Sequence, residues 1–155
     1  MGISEVSGRF TKFNGTVTAK TEDFENASIL ITIDAASINT DNEKRDNHLR
    51  SEDFLHAEKY PEIKFESTSF EQVNGNEYKL IGQLSTRGVT RKEEFKVKYK
   101  GMIESGEQQK AAFKLTGTIN RFDYNVDWND TFTGGLIAGK EVDISANVML
   151  IKSGQ

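Results

Sequence analysis

The sequence contains no cysteine, which excludes a disulfide framework, a thiolate metal site and a cysteine nucleophile. Histidine is nearly as scarce: His48 and His56 stand eight positions apart, a spacing that matches no familiar zinc motif, so no metal site is expected. Long apolar runs are missing too. SILITI and GGLIAG are far too short to cross a bilayer as a helix, and the start MGISEVSGRF lacks the basic-then-apolar pattern of a secretory signal. Positive charge is not in excess either. With 24 acidic and 20 basic residues the net charge is −4 and the pI about 5.3, the wrong sign for attraction to a phosphate backbone, so nucleic acid is not an expected partner.

Catalytic signatures are equally sparse. The chain has no Gly-x-Ser-x-Gly elbow, no phosphate-cradling glycine-rich loop and no His-Glu-x-x-His helix. Asp123 could form a carboxylate pair with Asp127 or Asp130, but these acids stand close to Asn129 and Gly134, which is ordinary loop chemistry. The sequence therefore reads as a non-enzyme with no cofactor.

What the chain does contain is period-two alternation. Ile29, Ile31 and Ile33 share a parity, as do Tyr78, Leu80, Gly82 and Leu84, then Phe95, Val97 and Tyr99. Phe113, Leu115, Gly117 and Ile119 follow, and last Val142, Ile144, Ala146, Val148 and Leu150. Weaker candidates run from Phe13 to Ala19 and from Ile63 to Ser69, which makes seven strands in all. Asn74-Gly75-Asn76 predicts a tight hairpin, Arg87-Gly88 lies in a longer connection, and Ser105-Gly106 marks a third turn.

One segment, TDNEKRDNHLRSEDF, does not alternate. Thr40 with Glu43 fits a helix capping box, and a short helix is expected from about Asp41 to Phe54. Tyr60-Pro61 ends this long connection at the start of a strand. Ten phenylalanines in 155 residues supply enough bulk for one core, and no repeat or linker divides the chain, so residues 1–155 read as a single domain. The fold class is all-β and antiparallel, with the apolar face buried by a sandwich or by closure into a barrel.

Two segments narrow this further. RDNHLRSEDFLHAEKYPEIKFEST contains Arg45, Asp46, His48, Leu49, Tyr60, Pro61, Ile63 and Phe65; GQLSTRGVTR contains Gly82, Leu84, Ser85, Thr86, Arg87, Gly88, Val89 and Thr90. Together they resemble the YceI-like family of lipocalin-like, polyisoprenoid-binding proteins, and Gly8–Phe10, SINT and INRFDY extend the similarity over nearly the whole chain. Family members usually carry about twenty further residues, forming another strand, before the Ser-Gly-Arg-Phe segment, so seven strands are visible where eight are expected. Asn125 stands where the family commonly has glycine, and asparagine tolerates a positive φ.

The resemblance implies an antiparallel lipocalin-like barrel whose narrow lumen holds an isoprenoid chain, a quinone tail or a polyprenyl phosphate. Alternation then assigns the lumen to Phe13, Val17, Ile31, Phe65, Leu80, Leu84, Phe95, Val97, Phe113, Leu115, Ile144 and Val148. The same residues could simply pack against one another. Gly82, Gly117 and Ala146 favour a ligand, because small residues on those faces would leave space. Arg45, His48 and Leu49 share a helix face and could meet a headgroup or cap the barrel, although Arg45 and Asp46 tying the helix to its loops is the favoured reading.

Lys96, Lys98 and Lys100 form a basic stripe, explained by solvation and edge protection or, alternatively, by peripheral membrane contact. Arg87 and Arg91 flank a turn and offer a weak phosphate signal. A missing strand would leave an edge open to homodimer pairing, which makes a structural or interaction protein the rival to a lipid carrier. Compartment is undetermined: cytoplasmic as the chain is given, periplasmic if a signal precedes it.

Overall fold

The computed structural model describes residues 8–18, 27–106, 108–126, 131–132, 135–136 and 141–151. Strands begin with Arg9–Phe10 (β1), Phe13–Thr18 (β2) and Ser28–Asp34 (β3); a 3-10 turn at Ala35–Ser37 leads to Ile38–Asn39 (β4) and the helix Glu43–Arg50 (α1). Four long strands follow in a meander: Glu62–Asn74 (β5), Glu77–Thr86 (β6), Val89–Ser105 (β7) and Gln108–Asn120 (β8). A second 3-10 turn at Arg121–Tyr124 precedes Thr131–Phe132 (β9), Gly135–Leu136 (β10) and the last strand, Glu141–Ile151 (β11).

Seven strands form one antiparallel sheet in the order β11-β8-β7-β6-β5-β3-β2, curled into a half-barrel. Two small antiparallel pairs, β1 with β4 and β9 with β10, form separate two-stranded sheets. The curl follows from the sequence pattern. On β6 the residues Tyr78, Leu80, Gly82 and Leu84 are buried while Glu77, Lys79 and Gln83 are exposed, so only the concave side loses water. Burying one such side chain contributes roughly 1.5–3 kcal/mol, and the register aligns them across strands. Tyr78 faces Val97, Val97 faces Leu115 and Leu115 faces Ala146, one continuous row over β6, β7, β8 and β11.

Three expectations need correction. Arg87-Gly88 is not part of a longer connection: Thr86 pairs with Val89, and both turn residues have positive φ, 53° and 76°, as a two-residue hairpin turn requires. Arginine is an unusual choice there. Its guanidinium supplies the reason, donating to the carbonyls of Asn125 and Glu52 at 2.5 Å each.

The helix is shorter than expected and is capped by Asn42, whose side chain accepts the Arg45 N–H at 3.0 Å, not by Thr40. The Thr40 hydroxyl is already engaged, donating to Asp46 Oδ1 at 2.5 Å. At the other end Ser51 donates to the His48 carbonyl through both N and Oγ, and the chain continues in turns instead of helix.

Third, Gly82 and Gly117 do not leave empty space. A Cβ at Gly82 would lie 2.5 Å from Phe65 Cζ, and one at Gly117 would collide with Cδ1 of Phe95. The glycines are seats for phenyl rings on neighbouring strands. At Asn125 the expectation stands: its φ of 61° caps the second 3-10 turn in the left-handed region.

Candidate functional site: the concave face

The inner face has an apolar part and a polar part. In the first, Phe65 and Phe95 meet edge to face with ring centres 5.3 Å apart, Phe70 stacks on Tyr78 at 4.8 Å, and Tyr99 tilts against Phe113 at 5.2 Å. Phe65, Leu80, Leu84, Phe95, Val97, Phe113 and Leu115, seven of the twelve residues assigned to the lumen, are buried in this cluster. Val17, Ile31, Ile144 and Val148 are half-buried and pack against it. Phe13 shares the inner parity through its pairing with Ile33, yet it is 67% exposed, because β2 is the terminal strand of the sheet.

Toward the Arg87-Gly88 turn the face becomes polar. Glu93 has the inner parity of Phe95 and pairs with Gly82, and its carboxylate accepts a hydrogen bond from the hydroxyl of fully buried Tyr124. Burial, reinforced by the Glu93 carboxylate, pushes the Tyr124 phenol well above its ordinary value and keeps it a donor. Arg91 Nε donates to the Asp123 carbonyl at 3.2 Å. Buried Arg121 donates to the Val126 carbonyl at 2.7 Å and lies over the rings of Phe54 and Phe122. The 3-10 segment Arg121–Tyr124 thus packs over β7 and supplies the polar groups of this half.

Sequence reasoning missed Glu93, although its shared parity with Phe95 and Val97 is a signal for a polar group on the inner face, and INRFDY contains its partner Tyr124. Neither segment names the other, since Glu93 and Tyr124 are 31 residues apart. Arg87 and Arg91 are engaged with backbone, Arg87 with two carbonyls and Arg91 with one. Of the carboxylate group Asp123, Asp127 and Asp130, the last two lie outside the described residues.

Arg45, His48 and Leu49 do not converge. Arg45 donates from Nε and Nη2 to the Thr40 hydroxyl and carbonyl at 2.9 and 2.8 Å, while His48 Nε2 lies 2.9 Å from Asp53 Oδ2 with its ring edge-on to Phe54. Leu49 packs on the core. Asp46 accepts from both N and Oγ1 of Thr40, and these hydrogen bonds hold its carboxyl below the usual range despite the opposing effect of burial. The cluster ties the helix to the segment before it.

A family model for the YceI-like domain matches residues 1–150. The chain belongs to the YceI-like family. It is 36% identical over 148 residues to the UPF0312 proteins SA2479 and SAV2687 of Staphylococcus aureus strains N315 and Mu50, a match that covers 94% of this chain and 84% of each relative. The crystal structure of a Campylobacter jejuni YCEI protein superposes with a TM-score of 0.86 at 26% identity, covering 99% of this chain and 89% of that one. Burkholderia cenocepacia BcnA shares the fold at a TM-score of 0.76 and 24% identity, over 92% and 86% of the two chains.

The YceI-like assignment and the barrel likeness together support a lipocalin-like binding protein, and none of these relatives bears the name of a reaction. In YceI-like terms, RDNHL forms the tie between helix and loop, and RGVT forms the tight hairpin at the polar half of the concave face.

Proposed function

We propose that this YceI-like chain binds an elongated isoprenoid lipid, of the quinone or polyprenyl phosphate type, on its concave face and carries or sequesters it without chemical change. The observation that carries the reading is the register of the inner face. Tyr78, Val97, Leu115 and Ala146 make one apolar row across four strands, and Leu80 with Phe95 begins the next. A slender hydrocarbon inserted along such rows gains about 25 cal/mol per Å2 of its own buried surface and needs few directional contacts, and it must part side chains that are already buried against one another. At about 0.8 kcal/mol per methylene, each five-carbon isoprene unit adds about 4 kcal/mol, so longer tails bind more tightly until the face is filled.

The direct test is organic extraction of the purified protein followed by mass spectrometry. A prenyl lipid at near-stoichiometric amount is the expected result, and repeated empty preparations contradict it.

One observation favours a second reading. The phenyl rings seated on Gly82 and Gly117 already fill part of the concave side, as a self-packed core would. On that reading the protein is an interaction module that pairs through a terminal strand, β2 or β11. Light scattering that shows a dimer from lipid-free protein supports it; a monomer with bound lipid removes it.

A further inference from the structure

On the outer face of the sheet, register sets lysines directly opposite lysines. Lys79 faces Lys96 across β6 and β7, and Lys98 faces Lys114 across β7 and β8. All four are exposed, and none forms an ion pair among the described residues. Like charges directly opposite each other destabilise an antiparallel pair, so the sheet carries this arrangement at a cost. Glu71 faces Lys79 and Glu77 faces Lys98 from their other sides. Lys96 and Lys114 have no acid opposite them on either neighbouring strand: their remaining partners are Thr116 and Asn147. Along β7 the nearest acid on this face is Glu94.

Exposed apolar residues adjoin the lysines on the same face. Lys110, Ala112 and Lys114 share one parity of β8; Ile103 stands opposite Lys110, and Met149 opposite Ala112. Ile103 is 46% and Met149 52% exposed. A surface on which lysines outnumber acids, with Lys96 and Lys114 facing no acid across the sheet and apolar side chains at its margin, matches the interface of a bilayer with acidic headgroups. A nucleic-acid backbone would use the lysines but leave the apolar margin without a role.

We propose that this outer face docks on a lipid surface bearing acidic headgroups, with Lys96, Lys98 and Lys114 at the headgroups and Ile103 and Met149 at the acyl boundary. The docking goes beyond the binding reading and stands whatever the concave face holds, because the two faces of the sheet present different side chains; on β7 a bulge between Tyr99 and Gly101 turns Ile103 to the outer face.

The test is co-sedimentation of the full chain with vesicles free of prenyl lipid, either pure phosphatidylcholine or phosphatidylcholine mixed roughly two to one with phosphatidylglycerol. Binding to the acidic vesicles only, weakening as salt rises, is the expected result. The double variant Lys98→Gln/Lys114→Gln should lose about 25-fold in partitioning, at about five-fold per lysine. Its melting temperature should stay close to that of the wild type, since the like-charge contact between Lys98 and Lys114 and the opposite-charge contact between Lys98 and Glu77 are removed together. Met149→Ser should give a smaller loss, and Lys12→Gln/Lys44→Gln, on exposed lysines away from the patch, no loss. Equal binding to both vesicle types, binding to neither, or an equal loss in the control variant overturns the proposal. So does retention of a DNA duplex, in place of acidic vesicles, that depends on Lys98 and Lys114.

Discussion

The ring of Phe95 on β7 lies over Gly117 on β8, so closely that a Cβ on the glycine would collide with the ring. Phe65 covers Gly82 in the same way, and the two rings touch edge to face. The centre of the concave face is therefore built from two aromatic lids on two bare stretches of backbone.

Gly117→Ala should consequently destabilise the fold by about 1–3 kcal/mol, the range for forcing a packed side chain off its rotamer. Gly15→Ala is the control. A Cβ there meets nothing closer than 4.0 Å, and the change should be neutral. Urea denaturation midpoints of the two variants check the contrast; equal midpoints would show that Phe95 can move aside without cost.

Tyr124→Phe removes the donor that satisfies Glu93 on the inner face. The expected loss is about 1–3 kcal/mol, because the carboxylate stays half-buried without its partner. Glu93→Gln in the Tyr124→Phe background should cost less than Glu93→Gln alone, and the double-mutant cycle measures the coupling. A coupling energy near zero would show that the hydrogen bond is not what fixes the 3-10 segment to β7.

Asp46 gives a pH prediction. Its folded pKa lies below the ordinary 3.8, chiefly through the hydrogen bonds from Thr40. Such a group contributes stability that is complete above the unfolded pKa and lost as pH falls through the folded one. Melting curves should thus show wild type losing stability below about pH 4, with Asp46→Asn less stable at neutral pH and flatter in acid. Parallel curves for the two proteins would contradict the assignment.

The strands were legible in the sequence because burial on one face imposes period two, which survives any detail of the loops. Elements that depend on distant partners were not. Arg87 looks ill-suited to a two-residue turn until its guanidinium is seen on the carbonyls of Glu52 and Asn125. Thr40 looks like a helix cap until Asp46 takes its hydroxyl. Gly82 and Gly117 look like vacant space until the rings from neighbouring strands are in place. For the site, parity set Phe95, Val97, Phe113 and Leu115 on one face, and all four are buried, but parity says nothing of how that face is filled.

The most direct measurement is titration of a long-chain prenyl quinone into the wild type and Val97→Phe, beside their ligand-free melting temperatures. Val97 sits in the middle of the apolar row, facing Tyr78 and Leu115. If the concave face holds the isoprenoid chain, the wild type binds, and the added ring lowers affinity while costing the ligand-free fold little. Destabilisation of the ligand-free variant by about 1–3 kcal/mol, with no binding to the wild type, would show a face packed for itself and contradict the lipid-binding account.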